Sequence, residues 1–141
     1  MKNYSIRTCH LSLGGVPISS GLVSFTVEPE GDRFDDEVSA DGEVCRFDTG
    51  EVRHKCTLVL KGFSSENEKL SRIHQVDVES ENGAGVFVLK FKDEQGTTDI
   101  LTDSAYIKAM GGAGFSQKRE DVTWNIRAVF ATPVSFTVGG N

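Results

Sequence analysis

The chain has 141 residues, 38% hydrophobic and 26% charged, with a formal net charge of −6 at pH 7. That length suits one domain with a real core, the composition excludes a disordered chain, and the acidic balance argues against a general nucleic-acid binder, which needs a basic patch for phosphates. No apolar run approaches the roughly 20 residues of a membrane helix, and the opening M-K-N-Y-S-I-R-T lacks the apolar core of a signal peptide, so folding in a cytoplasm is expected.

Residues 4–13 read as a strand with Cys9, Leu11 and Leu13 on one face. Gly14-Gly15 and Pro17 mark a turn. Residues 22–28 alternate cleanly, Val23, Phe25 and Val27 opposing Ser24, Thr26 and Glu28, which predicts a strand with one polar face. Residues 28–51 carry ten acids against Arg33 and Arg46 alone. Asp41-Gly42 is a tight-turn dipeptide between short strand-like runs, so a hairpin with its tip near Asp41 is expected. Phe34, Val38, Val44 and Phe47 are spread through this acidic excursion, which a merely solvated loop does not need, so it is expected to pack on a partner.

The chain is organised around the stretch that follows. In residues 52–60, Val52, His54, Cys56, Leu58 and Leu60 alternate with Arg53, Lys55, Thr57 and Val59, predicting a half-buried strand that ends at Gly62. Ser65 and Glu68 have capping-box spacing, and Leu70, Ile73 and His74 follow at helical spacing. A short helix is therefore expected, docked on the sheet because it is unstable alone. Residues 76–79 follow it, then a turn at Asn82-Gly83-Ala84-Gly85. Residues 86–92 and 97–109 read as a hairpin, residues 111–114 as a flexible glycine loop, and residues 122–130 as a strand with Trp124, Ile126 and Ala128 on one face. Val134, Phe136 and Val138 are spaced for a last short strand or a docking tail. The sum is a mainly β, single-domain chain: an antiparallel β-sandwich or barrel of seven or eight strands with one short α-helix at one end.

Chemistry is harder to find. Cys9, Cys45, Cys56, His10, His54 and His74 lack the paired spacings of a zinc module, so no metal and no cofactor is expected. No Cys–His pair stands out as a nucleophile and base, and His54 and Cys56 are better read as core residues. The glycine loop is not followed by the Lys-Ser of a phosphate cradle, and the acids lack calcium-loop spacing. No catalytic residue is assigned, and an enzyme is not expected. Three cysteines leave two readings open, reduced buried thiols or bridges between chains through Cys9, Cys45 or Cys56.

The order of features resembles the tail tube proteins of contractile-tailed bacteriophages, a group similar also to the tubes of type VI secretion systems. The carrying residues are Gly14-Gly15, the strand at 22–28, and Ala40-Asp41-Gly42-Glu43-Val44. Next come Thr57-Leu58-Val59-Leu60 running into Ser64-Ser65-Glu66-Asn67-Glu68-Lys69-Leu70-Ser71, then Phe91-Lys92-Asp93 with Gly96, and Trp124-Asn125-Ile126. Together they span about residues 11–130; their order carries the likeness, not any single motif. The resemblance implies a structural virion protein forming hexameric rings, whose strands complete a barrel between subunits and whose rings stack into a tube. It implies a tail location, sheath, baseplate and terminator proteins as partners, and a bore that passes DNA without binding it, for which a negative charge is suitable. It makes Phe34, Asp35, Asp36, Asp41, Gly42 and Glu43 inter-ring contact candidates, and Ser24, Thr26 and Glu28 lumen-facing candidates. Arg53, Lys55 and Thr57 are a second lumen candidate, at odds with a non-stick surface unless acids pair with them. The competing readings are a secretion-type tube protein and a monomeric β-sandwich that binds a ligand or peptide.

Overall fold

The computed structural model describes residues 4–19, 21–131 and 135–139. Strands β1 (Cys9–Leu13), β2 (Val16–Ile18), β3 (Leu22–Pro29), β6 (Arg53–Leu60), β7 (Phe87–Asp93), β8 (Asp99–Gly112) and β9 (Val122–Val129) form one sheet. Its order is β2-β1-β7-β8-β9-β6-β3, with β10 (Ser135–Thr137) also paired to β8. Every pairing is antiparallel. Strands β4 (Phe34–Val38) and β5 (Val44–Asp48) make a separate hairpin, and α1 (Glu66–Glu79) is the single α-helix among the described residues.

The sheet folds back on itself. Phe25 of β3 meets Phe91 of β7 with ring centroids 5.2 Å apart, although three strands separate the two in the sheet. Between these halves lie Leu11, Leu13, Leu58, Leu60, Leu89, Trp124 and Ile126, all buried. Their spacing of two along each strand puts one face of every strand inward. Two register shifts in β8, near Ala109 and Gly112, bend that long strand around the core. The sheet does not close within the subunit. Its two ends, β2 and β3, are unpaired to each other, and a cleft of about 450 Å³ lined by His10, Leu11, Pro17, Ile18 and Leu22 lies between them.

Several local expectations are corrected. Residues 76–79 are the last turn of α1, so the helix is longer than its apolar face predicts. Ser65 makes no capping hydrogen bond; instead the Ser64 hydroxyl accepts from the Glu66 N–H at 3.3 Å and donates to the Glu66 carboxylate at 2.8 Å. Pro17 sits in β2, an edge strand where a missing N–H costs no ladder bond. Gly111 and Gly112 belong to β8, Gly112 pairing Thr123. The strand expected from residue 4 begins only at Cys9, after a 3-10 turn at Ile6–Thr8. Phe136 lies in β10, where it stacks near His54 at 4.9 Å; Val134 falls outside the described residues.

Candidate assembly surfaces

The face of β3 that turns away from the core carries Ser24, Thr26 and Glu28. Residues directly opposite in an antiparallel pair share a face. Ser24 pairs Val59, Thr26 pairs Thr57, and Glu28 pairs Lys55. The same register continues to β9, where Val59, Thr57 and Lys55 pair Thr123, Asn125 and Arg127, and then to β8, where Arg127 pairs Tyr106. Four strands thus present one continuous and mostly polar wall. The two lumen candidates read from sequence, on β3 and β6, are neighbouring columns of it. The columns on β9 and β8 were not assigned to it from sequence, although the alternation of Thr123, Asn125 and Arg127 carried the signal.

The two arginines of this wall are ion-paired within the chain, while Lys108 of β8 stands on it exposed and without an ion pair among the described residues. Arg53 pairs Glu51 through Nε at 2.8 Å and Nη2 at 2.9 Å. Arg127, 8% exposed, pairs Glu30 at 3.4 Å. Lys55 stands across the ladder from Glu28. The hydrogen bonds from the Arg53 side chain, then from its backbone N–H, hold the Glu51 carboxyl down at about 2.

The hairpin is the opposite in character. All ten residues of β4 and β5 are exposed. Phe34, Asp36 and Val38 share a face with Asp48, Arg46 and Val44; Asp35 and Glu37 share the other with Phe47 and Cys45. Its base is tied by Arg33 Nε to Asp48 at 2.7 Å and by the Thr49 hydroxyl to the Asp32 carbonyl at 2.6 Å. At its tip the Asp41 carboxylate accepts from the Ser39 hydroxyl and from the Glu43 N–H at 3.1 Å, which lowers its pKa. Gly42 has φ +89°, a left-handed conformation that favours glycine. The Arg46 guanidinium lies 4.6 Å from the Phe34 ring centre. The hairpin is therefore ordered by its own polar bonds, while its apolar side chains remain largely exposed.

Charge is segregated in the same way. Residues 28–51 hold ten acids and two arginines, a net −8, so the remainder of the chain is +2. Three of those acids, Glu28, Glu30 and Glu51, stand with the cations of the wall, so the arm itself, residues 31–50, carries a net −5 and the remainder of the chain −1.

Cys9 and Cys56 are buried, and Cys45 is exposed on the hairpin; all three are free. A bridge to another copy through Cys56, fully buried in the core, would require opening it. Burial pushes the Cys56 thiol up to about 12. His54 packs against Phe130 at 4.8 Å, and burial lowers its pKa.

No family model matches the sequence. "Structural protein ORF10" of Pseudomonas phage KPP10 is 29% identical over 116 residues, 82% of this chain. The chain spans 65% of the length of that curated relative. Three solved structures share the fold. A chain of the virion of the native gene transfer agent particle has a TM-score of 0.61 at 13% identity, covering 96% of this chain and 100% of its own. The tube-terminating cap of the anti-feeding prophage has a TM-score of 0.64 at 10% identity, covering 97% and 93%. A chain of the PVC sheath-tube complex, an extracellular contractile injection system in its extended state, has 0.64 at 11%, covering 96% and 92%. The chain has the fold of tail tubes and their caps. That bears out the resemblance read from the sequence, and with it the mainly antiparallel β class with one helix.

Proposed function

We propose that this chain is the structural subunit of a contractile phage tail tube and not an enzyme. Copies form rings, hexameric as in the group it resembles, and the rings stack. The four-strand wall of β3, β6, β9 and β8 lines the bore, and the two open sheet ends meet the corresponding ends of neighbouring copies, which removes the exposed edges. The hairpin reaches the adjacent ring. Sheath, baseplate and terminator proteins are the further partners, and DNA passes through.

The observation that carries this reading is the continuous polar wall, whose two arginines are held by carboxylates of the same subunit. A bore for DNA needs water-facing polarity with few free cations to hold phosphates. Here a phosphate would have to displace a carboxylate of the same subunit from Arg53 or Arg127. A negative bore is unnecessary; a nearly balanced one has the same effect. The sequence similarity to a phage structural protein favours a phage tail over a secretion tube.

Electron microscopy of the purified protein over a concentration series tests it. Hollow rings or tubes of uniform bore are expected. Deleting residues 41–43 should shorten or abolish tubes and leave the monomer folded. Uniform monomers at the highest concentration, with and without a nucleating baseplate, would favour the ligand-binding reading instead.

A further inference from the structure

The end of the molecule opposite the hairpin carries a groove of about 380 Å³, whose lining includes Gly62, Asn67, Met110, Phe115, Arg119 and Trp124. We propose that this groove receives the acidic hairpin of a second copy of the chain, from the adjacent ring. The inference rests on the tube reading and names the receiving half of its stacking contact.

The placement follows from β6. The hairpin leaves the sheet between the end of β3 and Arg53, where β6 begins. The groove starts at Gly62, just past Leu60, where β6 ends. Eight strand residues separate the two, about 23 Å at the usual rise. Head and tail are therefore distinct surfaces on opposite ends. A contact between unlike ends does not close on itself but continues from copy to copy, as a stack requires.

The chemistry of the two ends is complementary. The groove is apolar on one side, where Phe115 is 83% exposed and Met110 48%. Phe63, 70% exposed, is the residue next to Gly62. These are large exposed apolar groups, and so are Phe34, Val38, Val44 and Phe47 of the hairpin. Arg119 and Glu120 supply its charge, with Lys118 beside them; Lys61, next to Gly62, pairs with Asp121 at 3.6 Å. The arm, residues 31–50, carries a net −5, and Arg119 with Lys118 beside it outweighs Glu120 at the groove, so the local field favours an acidic arm there. One wall of the groove is also closely packed. A Cβ on Gly62 would lie 2.4 Å from the Glu120 carbonyl oxygen, so the 113–121 loop is held against the end of β6 at a distance only glycine permits.

The test uses the exposed native Cys45 as a reporter on the hairpin. Assembled particles of Phe115→Cys are treated with a short bismaleimide and run on a denaturing gel. A ladder of dimers and higher oligomers is expected, absent from Phe115→Cys/Cys45→Ser and from Val78→Cys, which places the second thiol on exposed α1. Tubes that form normally while Phe115→Cys stays monomeric on the gel would overturn the inference. So would an equal ladder from Val78→Cys, or one from the wild type, in which hairpins would meet hairpins. Arg119→Glu should cut the fraction of protein in tubes by about tenfold, with the circular dichroism of the monomer unchanged. Unchanged tubes in this variant count against the groove. If no variant and no wild-type sample forms rings or tubes in the microscope, the tube reading itself fails, separately from the choice of groove.

Discussion

Trp124 donates its indole N–H to the Asn67 side-chain oxygen at 3.0 Å, and the Asn67 amide nitrogen donates in turn to the Lys61 carbonyl at 2.9 Å. One side chain thus fastens the first turn of α1 to β9 and to the chain just past β6. Trp124 is 1% exposed, so its N–H has little water to turn to. Asn67→Leu should cost about 1–3 kcal/mol, the range for a buried donor left unsatisfied. Denaturant unfolding followed by the fluorescence of the single tryptophan measures it. An unchanged midpoint would mean that the bond adds nothing to stability.

Leu70 is the apolar anchor of the same helix, fully buried against the core. Leu70→Ala removes three carbons from a packed site and should destabilise by about 2–5 kcal/mol. Hydrogen exchange should show α1 opening before the sheet. If helix and sheet exchange together, α1 is not a separate unit of stability.

Thiol chemistry separates the three cysteines. Ellman's reagent should modify Cys45 quickly in the native protein and Cys9 and Cys56 only on unfolding. For Cys56 the folded pKa, about 12, lies above the ordinary 9.0. The stability this contributes is fully present below pH 9 and is lost as pH climbs through 12. Wild type should therefore lose stability between pH 9 and 12 relative to Cys56→Ala, after allowing for the cavity. Equal alkaline slopes in the two proteins would contradict this.

Glu51 has the opposite sign. Its folded pKa, about 2, lies below the ordinary 4.5, so its contribution is present above 4.5 and is lost as pH falls through 2. Its side-chain carbon resonance should titrate near pH 2. Glu51→Gln removes the carboxylate that occupies Arg53, so duplex DNA should be retained more strongly by tubes of this variant, with a steeper salt dependence. Retention equal to wild type would mean that the pairing of Arg53 is not what keeps DNA free.

Gly62→Ala probes the groove without touching its charges. The new methyl group must push the 113–121 loop away from the Glu120 carbonyl. The monomer should melt lower and its tubes should be shorter. Normal tubes from a protein with a displaced loop would argue that the groove is not a contact.

The features legible from sequence were those written in local order. The alternation from His54 to Leu60 gave the central strand and its inner face, because a strand's side chains alternate whatever else the chain does. Asp41-Gly42 gave the hairpin tip, since the turn depends on those two residue types. Features that depend on distant neighbours were not legible. Ser65 had the right spacing for a cap, yet Ser64 makes the bonds because the buried Glu66 carboxylate lies within its reach. Gly111 and Gly112 looked like a loop until β9 supplied Thr123 as a ladder partner. The groove joins residues from 62 to 124, far apart in the chain, and no local pattern marked it.

The sequence isoelectric point of about 5.0 describes neither part of the molecule. Residues 31–50 carry −5 of the −6, so without them the same chain would carry only −1 at pH 7. An exposed hairpin is where a protease is expected to cut. A subunit from which this arm had been excised would be almost neutral, and it would leave an anion-exchange resin well ahead of an intact one.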